Sequence, residues 1–153
     1  MDINELKELL VSKKLTLGSV ESFTGGLFAS SITSISGASN FYKGGLVTYT
    51  NEEKHRLLGI SNEDITKFGV ISKEIAYLMA KNGQEKLNVD ICVSFTGNAG
   101  PTAMEKKEVG EVYIGIAYLD QVEVYPFILK GDRNTIQKEG VINALEIIKN
   151  KIS

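Results

Sequence analysis

The chain has 153 residues, of which 42% are hydrophobic and 24% are charged, and its formal net charge is −2. This length and composition predict one globular domain over residues 1–153, large enough to bury a core without metals or disulfides. The small negative charge gives no support for nucleic-acid or membrane partners, and no apolar run approaches the roughly 20 residues of a membrane helix.

Cysteine usage and the N-terminus bear on cellular location. The only cysteine, Cys92, cannot form an internal disulfide, and it lies in an apolar run, so we interpret it as a buried hydrophobic residue rather than a nucleophile. The N-terminus lacks the basic start and apolar core of a secretory signal. The sequence therefore predicts a cytoplasmic protein.

The first half of the chain alternates predicted helices and strands. Asp2 is expected to cap the first helix, Asn51 is expected to cap the third, and Gly59 is expected to end the third. In chain order, hydrophobic periodicity predicts a helix over 2–13, a strand over 15–21, a helix over 24–35, a strand over 44–49 and a helix over 51–58.

The second half ends in a predicted hairpin and a long helix. Ser72 is expected to cap one helix, Asp120-Gln121 to form the hairpin turn, and Pro126 to mark an edge strand. The predicted elements are a helix over 63–68, a helix after Ser72, strands over 90–96, 109–119 and 122–129, and a helix over 133–152. This order favours a mixed sheet covered by helices on both faces, with ligand sites where strands end and helices begin.

The first candidate for chemistry is the segment of residues 21–26 (ESFTGG), where a predicted strand ends and a predicted helix begins. Unpaired N–H groups at a helix start can hold an anion, including the oxyanion of an acyl-transfer intermediate. Ser22 is placed to act as a nucleophile there if a base is near. Taken alone, the segment fits a capped helix start with packing glycines better than a catalytic turn.

The second candidate is Lys54, in a segment (YTNEEK, 49–54) that follows another predicted strand. To act as a base, its pKa would have to fall from about 10.4 towards neutrality, by burial or a nearby cation. A serine–lysine pair is a known alternative to the serine–histidine arrangement. On its own, Lys54 is typical of a solvated helix lysine.

Two further segments combine turn residues with possible anion donors. Residues 94–101 (SFTGNAGP) can supply backbone donors to a phosphate or carboxylate, or can form a plain turn. In residues 131–133 (GDR), Arg133 can hold a phosphate in a two-pronged contact. The simpler interpretation makes Asp132 a helix cap and Arg133 a surface charge.

Other chemistries find no support in the sequence. The only histidine, His55, lies in a polar stretch and is predicted to be at the surface, which disfavours a Ser-His-Asp triad. No His/Cys cluster predicts a zinc site, no acidic spacing predicts magnesium, and neither nucleotide-binding glycine fingerprint is present.

Together these segments resemble the C-terminal domain of the competence/damage-inducible protein family CinA. Residues 21–26 resemble its E-S-C-T-G-G motif, and residues 36–54 resemble the block that follows. Further matches in the same order are 69–72 to G-A-V-S, 96–101 to T-G-I-A-G-P, 109–114 to V-G-T-V-Y-I and 131–133 to G-D-R. Each motif is weak alone, and their order over nearly the whole chain carries the resemblance.

The resemblance implies a three-layer α/β/α sandwich with nicotinamide mononucleotide deamidase activity. That reaction hydrolyses the carboxamide to nicotinate mononucleotide and ammonia, for pyridine nucleotide recycling. Ser22 is implied as the nucleophile and Lys54 as the base. A small nucleotide substrate, homo-oligomers and the absence of any metal or cofactor are also implied.

The remaining roles combine the family pattern with the chemistry of the residues. N–H groups at residues 24–26 would stabilise the oxyanion, Arg133 and the 97–100 turn would hold the phosphate or carboxamide, and Tyr49 would position Lys54 or stack near the pyridinium ring. The predicted binding residues are Thr24, Gly25, Gly26, Tyr49, Thr96, Gly97, Gly100 and Arg133.

The sequence departs from the family pattern at several places. Phe23 replaces the usual cysteine, Asn98 replaces an apolar residue, residues 102–104 (TAM) replace a glycine-rich stretch, and Glu108 stands where proline is common. Two alternatives therefore stay open: a non-catalytic relative that binds a nucleotide or a partner, and an amidase with another substrate.

Overall fold

The computed structural model describes residues 2–153, and its helices and strands follow the predicted order. The strands are β1 (Leu17–Glu21), β2 (Tyr42–Val47), β3 (Ile91–Gly97), β4 (Glu111–Tyr118) and β5 (Gln121–Ile128). The α-helices are α1 (Ile3–Ser12), α2 (Leu27–Thr33), α3 (Asn51–Leu58), α4 (Asn62–Phe68), α5 (Lys73–Leu87) and α6 (Arg133–Ile152). A short 3₁₀ turn, Ala38–Asn40, precedes β2.

The five strands form one mixed sheet in the order β2-β1-β3-β4-β5. Strand β1 runs parallel to both β2 and β3, whereas β4 is antiparallel to β3 and β5. Pro126 lies on β5, which is an edge strand as predicted, so its missing N–H removes no bond from the sheet interior.

Alternate residues of each strand face opposite helical layers. On β3, Val93 and Phe95 join a core with α1, α2 and α6, whereas Cys92 faces a second core beneath α3, α4 and α5. The Cys92 thiol is fully buried, and burial raises its pKa to about 12. The three layers confirm the predicted α/β/α sandwich with a mixed sheet.

Most predicted helix caps are confirmed, and one is wrong. The side chains of Asp2, Ser72 and Asp132 each accept a backbone N–H at the start of their helices. Helix α3, however, is capped by Thr50 rather than Asn51, because the Thr50 hydroxyl accepts from the third helical N–H.

Three predicted boundaries also shift. Helix α2 begins at Leu27 rather than at residue 24, because Gly25 and Gly26 adopt left-handed φ angles of 58° and 103°. Strand β2 begins two residues earlier than predicted, at Tyr42. The hairpin turn lies at residues 119–120, one residue before the predicted pair.

The parallel arrangement of β1, β2 and β3 determines where the functional segments meet. All three strands end at the same edge of the sheet, so the segments that follow Glu21, Val47 and Gly97 converge there. Such an edge is where ligand sites form in open α/β sheets.

Candidate active site

Ser22 is the first residue after β1, and a tight backbone turn fixes its position. Its N–H donates to the carbonyl of Phe95 on β3 (3.0 Å), and its carbonyl accepts from the N–H of Gly25 (3.0 Å). The side chain is almost buried, with 9% of the residue exposed. Ser22 is therefore held at the sheet edge by one hydrogen bond to the neighbouring strand β3 and one within its own turn.

The start of α2 differs from the prediction, because its N–H groups already have partners. The buried Glu21 carboxylate accepts from the backbone N–H of Gly26 (3.2 Å), Phe28 (2.9 Å) and Ala29 (3.1 Å). It also accepts from the Thr24 hydroxyl at 2.6 Å. A negative side chain at the positive end of a helix is electrostatically favourable.

This arrangement corrects two of the predicted oxyanion donors. The Gly25 N–H is used by the Ser22 carbonyl, and the Gly26 N–H is used by Glu21. Within residues 2–153, the N–H groups of Phe23 and Thr24 donate no hydrogen bond, so they are the ones that stay available beside Ser22. The role of the glycines is to shape the turn, which requires left-handed φ angles.

Lys54 lies on the second turn of α3 and points into the sheet edge rather than into solvent. Only 1% of the residue is exposed. Its Nζ donates to Ser22 Oγ at 3.0 Å and to the Thr48 carbonyl at 2.8 Å. The interpretation of Lys54 as a solvated surface lysine is therefore wrong, and the two residues predicted to act together are in hydrogen-bond contact.

Burial changes the acid–base chemistry of Lys54. Desolvation lowers the pKa of the ammonium group to about 8, while the negative charge of Glu105 opposes that shift. Because a neutral amine can accept the Ser22 hydroxyl proton, a pKa near 8 leaves roughly a tenth of the molecules with a usable base at pH 7.

Phe23 stands where the family motif has cysteine, and its side chain packs in the hydrophobic core. Only 3% of the residue is exposed, and its ring packs edge-on against Phe95 with ring centroids 6.2 Å apart. A Cβ added at Gly140 on α6 would approach the Phe23 ring to 2.8 Å. The absence of a side chain at Gly140 therefore makes room for the bulk of phenylalanine.

The pairing of Phe23 with Gly140 predicts a coupled effect on stability. Gly140→Ala should lower the free energy of unfolding by about 1–3 kcal/mol through overpacking, partly offset by the better helix propensity of alanine. In a Phe23→Leu background the same change should cost less or become stabilising. Denaturant unfolding of the four proteins measures the coupling, and additive effects would contradict it.

A small pocket opens beside Ser22 and Lys54, and it contains six of the predicted site residues. They are Ser22, Tyr49, Lys54, Thr96, Gly97 and Arg133. Thr24, Gly25, Gly26 and Gly100 do not line it. Thr24 and Gly26 donate to the Glu21 carboxylate, Gly25 donates to the Ser22 carbonyl, and the Gly100 carbonyl accepts from Arg133. The pocket also contains residues that were not predicted: Asn51, Val70, Ile71, Ala99 and Met104, together with Phe23.

The polar side chains of this pocket differ in whether their hydrogen-bonding groups already have partners within the protein. The Thr96 hydroxyl donates to the Val70 carbonyl at 2.5 Å, which makes it a structural link. Arg133 donates through Nε to the Gly100 carbonyl at 2.9 Å, and within residues 2–153 its terminal nitrogens make no hydrogen bond. Tyr49 is 57% exposed at the pocket mouth. Arg133 and Tyr49 are therefore free to contact a ligand.

Asn98, which stands where the family pattern has an apolar residue, has a structural role in its turn. It is 1% exposed, its Oδ1 accepts from the Gly100 N–H at 3.0 Å, and its backbone bonds to Glu111 and Gly110. The amide oxygen thus adds a side-chain hydrogen bond to the turn, which an apolar side chain cannot make. Because the N–H groups of Asn98 and Gly100 are used within the turn, they are not available to a phosphate as predicted.

His55 lies outside this site. The His55 ring contacts the Ile60 carbonyl at 2.8 Å on the exposed side of α3, so it does not reach Ser22. In the part of the chain that the structure describes, no three His, Cys, Asp or Glu side chains are grouped as a metal site requires. Among residues 2–153, no helix is long and apolar enough to cross a membrane.

The fold and the site define a class of protein: a three-layer α/β sandwich with a buried serine–lysine pair at the carboxyl edge of its parallel strands. The chain belongs to the family of the CinA C-terminal domain, whose sequence model matches residues 3–152. The family resemblance stated from the motifs is thereby confirmed.

Individual relatives agree with this assignment. A protein of Bacillus subtilis (strain 168), provisionally named competence-damage inducible protein, is 44% identical over 142 residues, which cover 91% of this chain and 34% of the relative. A relative from Thermoanaerobacter sp. (strain X514) is 41% identical and is covered to 37%. The chain thus spans about a third of the length of these curated relatives.

Solved structures have the same fold. The competence/damage inducible protein CihA from Agrobacterium tumefaciens superposes with a TM-score of 0.89 at 32% identity, covering 98% of this chain and 95% of that one. A CinA superfamily protein from Escherichia coli superposes with a TM-score of 0.91 at 28% identity, covering 94% and 84%.

Proposed function

We propose that this chain is an amidohydrolase that converts nicotinamide mononucleotide to nicotinate mononucleotide and ammonia. The observation that carries the proposal is the buried contact of Lys54 Nζ with Ser22 Oγ at 3.0 Å. The substrate comes from the family resemblance, and the pocket supplies groups of suitable chemistry for it.

The first half of the reaction forms an ester. Neutral Lys54 removes the proton from Ser22 Oγ, and the oxygen attacks the carboxamide carbon to form a tetrahedral intermediate. The free N–H groups of Phe23 and Thr24 are proposed to stabilise its oxyanion. Lys54 then returns the proton to the departing nitrogen, the C–N bond breaks, and ammonia leaves.

The second half of the reaction releases the acid. A water molecule gives its proton to Lys54 and attacks the ester carbon, and the bond to Ser22 Oγ breaks as that oxygen takes the proton back. The products are nicotinate mononucleotide and the original serine–lysine pair. The sequence of steps consumes one water and needs neither a redox partner nor a phosphoryl donor.

Substrate recognition is proposed to involve two exposed groups. The free nitrogens of Arg133 can form a charge-assisted contact with the phosphate. The exposed ring of Tyr49 can face the cationic pyridinium, which an aromatic face attracts. A cytoplasmic location and a homo-oligomeric state remain predictions.

The direct test measures ammonia from the purified protein with nicotinamide mononucleotide, nicotinamide riboside and nicotinamide as parallel substrates. Release from the mononucleotide alone supports both the reaction and the phosphate contact. Release from another amide only would favour a different amidase. A folded protein that releases none but binds the mononucleotide in calorimetry would favour the non-catalytic binding role.

The pKa of Lys54 predicts the pH dependence of this activity. Because only the neutral amine can act as base, kcat/KM should rise about tenfold per pH unit below a pKa of about 8 and level off above it. The measurement belongs between pH 6.5 and 9.5, where a substrate phosphate with a second pKa of about 6 stays ionised. A flat profile over this range would exclude Lys54 as the titrating base.

A further inference from the structure

The loop between β3 and β4 is tied to the segment before α5 by a single carboxylate. Glu105 Oε2 accepts from the Val70 N–H at 3.1 Å, and Oε1 accepts from the Ile71 N–H at 3.0 Å. Val70 and Ile71 both line the pocket beside Ser22 and Lys54. The contact joins residues 34 and 35 positions apart in the sequence.

The backbone around Glu105 is held in an uncommon conformation. Glu105 and the next residue, Lys106, have left-handed φ angles of 52° and 59°, which non-glycine residues rarely adopt. The Lys107 N–H donates to the Met104 carbonyl at 2.7 Å and closes the turn. Such strain persists where surrounding contacts determine it, and the double hydrogen bond of Glu105 is a contact of that kind.

The segment that receives the carboxylate is adapted to it. A Cβ added at Gly69 would lie 3.0–3.4 Å from the Glu105 carboxylate, closer than most real contacts. The glycine therefore lets the carboxylate approach the two N–H groups. With the carboxylate in place, Met104 of the same turn forms part of the pocket wall.

From these contacts we propose that Glu105 is a positioning residue, which fastens the 102–108 loop as a wall of the pocket that contains Ser22 and Lys54. The inference rests on the proposed function, because it gives Glu105 a role in the same reaction.

A supporting electrostatic effect follows from the charges around Lys54. The ionisable side chains that line the pocket with Lys54 are Tyr49, from the segment after β2, and Arg133, from α6. Val70 and Ile71 contribute none. Glu105 is the charged group that raises the pKa of Lys54 against desolvation. Removing that charge should therefore favour the neutral base.

A test independent of catalysis follows the Lys54 side chain itself. In the full chain labelled with ¹⁵N-lysine, NMR titration of Lys54 Nζ is compared among wild type, Glu105→Gln and Glu108→Gln. Glu108 lies on the same loop and is exposed like Glu105, but it pairs with Lys130 at 3.7 Å instead of with backbone N–H groups. The pKa of Lys54 should fall by about 0.3–1 unit in Glu105→Gln and stay unchanged in Glu108→Gln.

In the same samples, amide hydrogen exchange measures the contact of Glu105 with the Val70 and Ile71 N–H groups. The amides of Val70 and Ile71 should exchange at least several-fold faster in Glu105→Gln, whereas exchange in the β3 strand should stay the same. Unchanged exchange at Val70 and Ile71 in Glu105→Gln would overturn the inference, whatever the Lys54 titration shows. Neither readout requires that nicotinamide mononucleotide be the substrate.

Steady-state kinetics of Glu105→Gln then distinguish a positioning role of Glu105 from a purely structural one. If the wild type releases ammonia, Glu105→Gln should raise KM about 3–10-fold and move the rise of kcat/KM to lower pH. A loss of activity without any movement of the pH profile would overturn the electrostatic part. A wild type without ammonia release would sink the proposed function and leave the NMR test of Glu105 intact.

Discussion

Replacing Ser22 by alanine is expected to lower kcat for deamidation on the order of 10⁴-fold or more, because it removes the atom that forms the ester. The variant keeps Lys54 and the pocket, so binding of the substrate should change little. Ammonia release under saturating substrate measures the loss. Isothermal calorimetry with nicotinamide mononucleotide checks that binding is retained.

Ser94→Ala is a matched control for this change. Like Ser22, Ser94 is a buried serine of the sheet region, and its hydroxyl donates to the Ala76 carbonyl at 2.7 Å, away from the pocket. Its loss should lower stability and leave kcat within a few-fold of wild type. A folded Ser22→Ala protein with activity near wild type would show that another group or water attacks the carboxamide.

The ester intermediate offers a second check on Ser22. Hydroxylamine competes with water for an acyl-enzyme, so wild type should yield the hydroxamate of nicotinate mononucleotide in addition to the acid. Ser22→Ala should yield neither product at a comparable rate. Hydrolysis in wild type with no hydroxamate at high hydroxylamine concentrations would favour direct attack by water.

Replacing Lys54 by methionine is expected to lower kcat on the order of 10³–10⁴-fold while leaving the fold equally or more stable. Methionine retains most of the apolar stem of lysine and removes the amine that accepts the proton. It also removes a charge whose burial is unfavourable, since desolvation lowers the pKa of Lys54 from 10.5 to about 8.

The sign of the stability effect follows from proton linkage. Because the folded-state pKa lies below the unfolded one, the unfolded chain binds more protons between about pH 8 and 10.5, and wild-type stability should rise with pH across that window. Below about pH 8 the full penalty applies, which amounts to a few kcal/mol at most.

Chemical denaturation at pH 7 and pH 10.5 therefore provides the control for Lys54→Met. The advantage of the variant over wild type should be larger at pH 7 and shrink at the higher pH. A variant that is inactive because it is unfolded, or one whose stability relative to wild type is independent of pH, would contradict this account of Lys54.

The architecture could be predicted because local signals and the global fold agree. The alternation of Ile91, Cys92 and Val93 in β3 matches the two cores, and Asp132 precedes α6 as a cap should. The error at α3 arose because Thr50 and Asn51 are both good caps, and only the helical register distinguishes them.

The site was harder to predict than the fold, because it depends on side-chain partners that sequence spacing does not reveal. The contact of Ser22 with Lys54 spans 32 positions and relies on two strands ending at one edge. That Glu21 would turn back onto α2 was not predicted, although its carboxylate precedes a helix start. Glu105 has no sequence signal of its own, since its partners are backbone N–H groups 34 and 35 positions away.

The burial of Cys92 has a consequence for chemical labelling. The chain contains one cysteine, and its thiol is shielded on all sides and stays protonated at every pH at which alkylating reagents are ordinarily used. The wild-type protein is therefore expected not to react with maleimides. A cysteine introduced at an exposed position such as Tyr49 would carry a fluorophore at a single defined point on the pocket rim.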